Sequence, residues 1–178
     1  MSVEVLGGSG IRGRIKQVGS AGKRYMGDKV ERYRVLLRTL DSLCRGETDR
    51  ITIMSTIACE LFHTFDCFDW VGFYRNVGGE TLKVGPYQGE HGCLTIPFSD
   101  GVCGKCAREL AVQNVPDVTK IPYHIACSSD TRSEIAVPIV SPGRPDELVA
   151  VLDIDSNLPA AFDSVDEDSL IKINRYFS

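Results

Sequence analysis

Apolar side chains recur at helical spacing in two stretches near the start of the chain. From Asp28, which suits an N-cap, Val30, Tyr33, Leu37, Leu40 and Cys44 fall on one face until Gly46 ends the pattern. A second amphipathic helix is predicted from about Asp49, with Ile53, Met54, Ile57, Ala58 and Leu61 on its buried face. The period then changes. DWVGFYR and TLKVGPY flank Val77-Gly78-Gly79, the signature of a β-hairpin. A short helix is predicted from Gly101 to Cys103 through AREL, followed by a strand at AVQNV. EIAVPIV and LVAVLDID read as two further strands joined by SPGRPDE, where Pro142 and Gly143 break the pattern. A last helix is predicted in SVDEDSLIKINRYF, with Ser164 and Glu167 as a capping box. This order implies an α+β fold, a central antiparallel sheet with helices packed mainly on one side.

Residues 1–22 are Gly-rich, carry Arg12, Arg14 and Lys16, and lack apolar periodicity, so a flexible N-terminal tail is expected ahead of one domain over 23–178. The full length of 178 residues, 43% hydrophobic, suits a single core. A net charge of -4 argues against nucleic acid or an anionic membrane as the main partner. No apolar run approaches the roughly 20 residues of a membrane-spanning helix, and the N-terminus lacks the apolar core of a signal peptide. A cytoplasmic protein is expected.

Strand periodicity puts Leu148, Ala150, Leu152 and Ile154 on one face of LVAVLDID, and Val149, Val151, Asp153 and Asp155 on the other. In EIAVPIV, Ile135, Val137 and Ile139 share a face and Glu134 stands at the entrance. If the two strands are neighbours, Glu134, Asp153 and Asp155 share one pocket. Three clustered carboxylates cannot all ionise cheaply, so at least one keeps a proton near neutral pH and can act as a general acid. The bland alternative is that the strand has run out into solvent by Asp153.

Seven cysteines in a chain of this kind do not read as a disulfide framework. Cys44, Cys59 and Cys67 lie in or just after the two predicted helices and are most economically structural. Cys93, Cys103 and Cys127 sit in polar, Gly-containing or turn-like sequence, and Cys103 falls at a helix start, where the dipole favours a thiolate. A thiolate beside a second thiol can pass through a sulfenic acid to a disulfide, which suggests redox chemistry. C-G-K-C at Cys103 to Cys106 lacks the βαβ context of a thioredoxin motif. A zinc site from Cys93, Cys103, Cys106 and Cys127 with His124 lacks its second C-x-x-C, so neither metal nor cofactor is expected. His91 and His124 read as solvated loop histidines. Trp70 reads first as a core residue and second as an aromatic wall against a substrate sulfur.

DWVGFY, GPYQG followed by Cys93, GVCG, VPDV, the HIAC segment with Cys127, SEIAVPI and VLDIDS occur in order over most of residues 65–165. As a set they resemble the free methionine-R-sulfoxide reductases, a family built on the GAF fold. The resemblance implies free methionine-R-sulfoxide as substrate, methionine as product and a thioredoxin-type reductant as partner; a homodimer also fits it. It implies Cys127 as the nucleophile, Cys93 and Cys103 as resolving thiols, and Trp70, Glu134, Asp153 and Asp155 as pocket residues. Cys106 departs from the pattern. The competing reading is a GAF module that senses a small molecule without catalysis.

Overall fold

A computed structural model describes residues 22–122 and 128–177. The predicted tail, apart from its last residue, and the segment holding His124 and Cys127 lie outside the described residues.

Two helices come first, α1 (Gly22–Leu43) and α2 (Arg50–Thr64), then strands β1 (Trp70–Asn76), β2 (Thr81–Gln88) and β3 (Thr95–Pro97). Helix α3 (Gly101–Glu109) leads to β4 (Gln113–Val115), β5 (Ser133–Ser141), β6 (Arg144–Ser156) and α4 (Ser164–Leu170), which passes into a 3-10 segment at Ile171–Phe177. The strands form one six-stranded sheet in the order β3-β2-β1-β6-β5-β4, with every neighbouring pair antiparallel. This is the expected α+β sheet.

Period-2 alternation gives the sheet two apolar faces. Val71, Phe73, Ile135, Val137, Ile139, Leu152 and Ile154 pack against Tyr33, Leu36, Leu40 and the α2 residues Ile53, Ile57 and Leu61. Leu170, Ile173 and Phe177 close the same core from the C-terminus. The opposite face carries Trp70, Tyr74, Ala136 and Val151, covered by Val102, Cys103, Cys106 and Ala107 of α3. Most helical mass thus lies on one side, and the site is built on the other.

Helix α2 matches its expectation: Asp49 Oδ1 accepts from the Thr52 N–H at 2.7 Å, and the five predicted apolar residues are buried. Helix α1 begins six residues before Asp28, since nothing in GKRYMG forbids helical backbone. Its buried rail is Tyr33, Leu36 and Leu40, while Val30 is 53% exposed. Polar contacts set this rotation. The Tyr33 hydroxyl donates to Asp166 Oδ1 at 2.8 Å, and Lys29 Nζ donates to Asp163 Oδ2 at 2.9 Å and Asp166 Oδ2 at 2.6 Å. The α4 capping box is correspondingly Asp163 with Asp166, one residue before the predicted Ser164 and Glu167.

Strand β6 departs from simple alternation at one point. Ile139 pairs with Ala150 but Val140 pairs with Leu148, so Val149 is the extra residue of a β-bulge. Leu148 consequently joins Val151 on the α3 face rather than Ala150 and Leu152. From Ala150 onward the predicted faces hold, and that stretch carries the acids. None of the described helices is long and apolar enough to cross a membrane.

Candidate active site

Cross-strand register assembles the floor of the site. Trp70 pairs with Asp155, which pairs with Glu134 on its other side; Gly72 pairs with Asp153, which pairs with Ala136. Residues directly opposite one another project to the same face. Three strands therefore deliver one aromatic ring and three carboxyl groups to the side covered by α3. Strands β5 and β6 are neighbours, the condition on which a shared pocket for Glu134, Asp153 and Asp155 depends.

The aromatic wall depends on glycine. A Cβ at Gly72 would lie 2.3 Å from Trp70 Cη2 and 2.6 Å from Tyr87 Cβ, so only glycine lets the indole lie across the strand. The indole Nε1 donates to the Glu90 carbonyl at 3.0 Å. It stacks on Tyr74 and Tyr87 at centroid distances of 5.7 and 5.5 Å. Gly92 brings the neighbouring loop down onto this wall, since a Cβ there would sit 3.0 Å from the Tyr74 hydroxyl and 3.1 Å from the indole. The next residue is Cys93. It is disulfide-bonded, whereas Cys44, Cys59, Cys67, Cys103 and Cys106 are free.

Between floor and loop lies a cavity of about 210 Å³, lined among others by Trp70, Tyr74, Cys103, Glu134, Asp153 and Asp155. The acids are not solvated ends of strands: Glu134 and Asp153 are 6% and 5% exposed. Burial raises the Glu134 carboxyl well above its ordinary range, and the charges of Asp153 and Asp155 push it further. Burial likewise raises Asp153, to about 6, with hydrogen bonds to Cys103 and Glu134 opposing the shift. Asp155 is raised by burial and then by Asp153 and Asp69. Glu134 and Asp153 share a hydrogen bond, which two ionised carboxylates cannot make. One of them holds a proton. Asp153 Oδ1 is buried without a hydrogen-bond partner among the described residues.

Cys103 opens α3 beneath these acids, and its Sγ lies 3.9 Å from Glu134 Oε1. The expected helix-start thiolate is overturned. Burial pushes the Cys103 thiol well up, and the nearby Asp153 and Glu134 add to the shift. A helix dipole contributes only about 0.3–1 kcal/mol, which complete desolvation beside carboxylates outweighs. Cys106 is buried and raised for the same reasons, burial first. The donor atoms of Cys103, Glu134 and Asp153 all lie within 4.8 Å of one another.

The structure thus brings together Trp70, Cys103, Glu134, Asp153 and Asp155, with Cys93 in the loop next to Gly92; Cys127 falls outside the described residues. His91 is exposed on the cavity rim. Tyr74 was missed, although its place four residues after Trp70 on one strand put it on the same face. Asp69, whose Oδ2 accepts from the Asn157 N–H at 2.8 Å, was also missed and lines the same cavity. No sequence signal marked it.

The GAF domain family profile matches residues 49–173. The free methionine-R-sulfoxide reductase of Saccharomyces cerevisiae is 37% identical over 152 residues, 82% of this chain and 83% of that one. The enzyme of the same name from Escherichia coli is 35% identical over 143 residues, 80% of this chain and 84% of that one. The X-ray structure of free methionine-R-sulfoxide reductase from Neisseria meningitidis in complex with its substrate superposes with a TM-score of 0.78 at 35% identity, covering 89% of this chain and 90% of that one. With its sheet order, its buried acids and these likenesses in hand, this chain belongs to the GAF domain family, among the free methionine-R-sulfoxide reductases.

Proposed function

We propose that the protein reduces free methionine-R-sulfoxide to methionine, with Cys127 as the attacking thiol. Attack on the sulfoxide sulfur transfers its oxygen: methionine leaves and Cys127 becomes a sulfenic acid, oxidised by two electrons. Cys93 then condenses with that sulfenic acid, forming the S–S bond and releasing water. A thioredoxin-type dithiol reduces this disulfide and is itself oxidised. Cys103 is the second resolving position. What favours Cys93 as the first is that it is disulfide-bonded with none of the five free cysteines as its partner, whereas Cys103 is a buried, protonated thiol.

Glu134 delivers the proton that the departing sulfoxide oxygen needs, and Asp153 and Asp155 accept hydrogen bonds from the substrate ammonium. The Trp70 ring packs against the methyl and sulfur end, where sulfur–aromatic contact is favourable. The observation that carries this reading is the hydrogen-bonded Glu134–Asp153 pair, buried and partly protonated, on the floor of a cavity walled by Trp70. A sulfoxide reduction needs a proton held against solvent, and this pair holds one.

The test is single turnover. Fully reduced protein, without a recycling system, is incubated with racemic free methionine sulfoxide, and both diastereomers and methionine are followed by chiral chromatography. Consumption of the R form alone, stoichiometric with protein and accompanied by loss of two thiols, is expected. Absence of methionine from reduced, folded protein sinks the reading and leaves a ligand-sensing GAF module in its place.

A further inference from the structure

The side chains of Cys103, Glu134 and Asp153 come from three different elements, α3, β5 and β6, and converge on one point. All three are buried, and one ligating atom from each lies within 4.8 Å of the others. The Cys103 Sγ to Glu134 Oε1 separation is 3.9 Å. Two ligands of a tetrahedral zinc, each at about 2.0–2.3 Å from the ion, stand only slightly closer together than that. A second observation is independent of the clustering. Asp153 Oδ1, an oxygen of the carboxylate that completes the group, is buried and, among the described residues, has no hydrogen-bond partner. A buried acceptor left in that condition is costly, and a cation is one partner that relieves it.

We propose that Cys103, Glu134 and Asp153 form a binding site for a thiophilic divalent cation of the zinc class. The donor set selects the ion. One sulfur with two carboxylate oxygens suits zinc or cobalt, whereas magnesium and calcium take all-oxygen shells of six or more ligands. Three protein ligands facing a cavity leave the fourth position open to water or an anion. Binding is a ligand exchange without redox change: the thiol and the shared carboxyl proton leave as two protons while two metal–ligand bonds form with the groups they vacate, and Asp153 supplies the third. The bound ion occupies the acids used in the proposed reaction, so it inhibits turnover; that consequence alone rests on the functional reading above.

Cobalt(II) is the probe because its thiolate complexes absorb. Titrated alone into the reduced full-length protein, it should give a sulfur-to-cobalt charge-transfer band and tetrahedral d–d bands that saturate at one equivalent and are displaced by zinc. Cys103→Ser should abolish the charge-transfer band and weaken binding by at least about tenfold, since loss of even an outer-shell partner of a metal ligand costs that much. The double variant Cys93→Ser/Cys127→Ser should keep both. Zinc-soaked crystals of the unaltered protein should show an anomalous peak between the three donors, a readout that does not depend on any variant folding. Absence of the bands, their survival in Cys103→Ser, their loss in Cys93→Ser/Cys127→Ser, or an anomalous peak elsewhere each overturns the site. None of these readouts involves turnover, so they fail or succeed separately from the reductase reading.

Discussion

Glu134 stands directly across the β5–β6 ladder from Asp155, yet its carboxyl is hydrogen-bonded to Asp153, the residue one step further along the same face. The diagonal contact is within reach of a long side chain. It leaves the pair with a proton to share and sets Asp155 as a separate, half-buried acid beside Trp70. The pH behaviour of the molecule follows from this arrangement.

Turnover should fall on the alkaline side as Glu134 loses its proton, because the shift places that loss well above the usual carboxylate range. Glu134→Gln cannot deliver a proton and should reduce the single-turnover rate by about 10²–10⁴-fold, the usual contribution of a positioned acid, and flatten the alkaline limb. Rapid-quench measurement of methionine across pH checks both. An unchanged alkaline limb in Glu134→Gln would assign the proton to another group.

Stability carries the same signature with a definite sign. Glu134 has its folded pKa raised, so the folded protein holds a proton that the unfolded chain releases around its ordinary 4.5. The contribution is fully present below that value and is lost as pH rises through the folded pKa. Urea midpoints should decline from about pH 5 upward in the unaltered protein and decline less in Glu134→Gln. Parallel curves would remove the proposed burial penalty.

Gly72→Ala tests the aromatic wall. The new Cβ meets Trp70 side-chain atoms at 2.3 and 2.7 Å, so the indole must tilt into the cavity. A stability loss of about 1–3 kcal/mol is expected for such overpacking, with a rise in KM larger than any fall in kcat. Steady-state kinetics beside thermal melts separates the two effects.

Lys29→Met probes the clamp between α1 and α4. Burial alone would lower the Lys29 pKa, but its bonds to Asp166 and Asp163 outweigh that and raise it. Removing the ammonium leaves the Asp166 carboxylate, whose side chain is 0% exposed, with the Tyr33 hydroxyl and the Asp163 N–H as its donors among the described residues. Breaking a buried pair costs about 3–5 kcal/mol, and this one is partly open on the lysine side, so a loss near the lower figure is expected in denaturant melts.

Helix α2, the β1–β2 hairpin and the α3 helix were legible because each is announced locally, by a cap, a two-glycine turn or an apolar period. The rotation of α1 was not legible. Tyr33 and Lys29 find Asp166 more than 130 residues away, and no window of sequence holds both partners. The bulge at Val149 was equally hidden, since alternation by itself carries no mark of an inserted residue.

The acid site divides in the same way. Sequence by itself determined that Asp153 and Asp155 share a strand face, that Glu134 heads another strand, and that Trp70 opens the hairpin, because side-chain direction along a strand is a local property of the backbone. Only the tertiary structure decided which strands are neighbours, hence that the acids meet, share a proton and press on Cys103. It also reversed the expected ionisation of that thiol. Desolvation depends on everything packed around a group, and the sheet, α3 and the Gly92 loop that surround this one come together only in the fold.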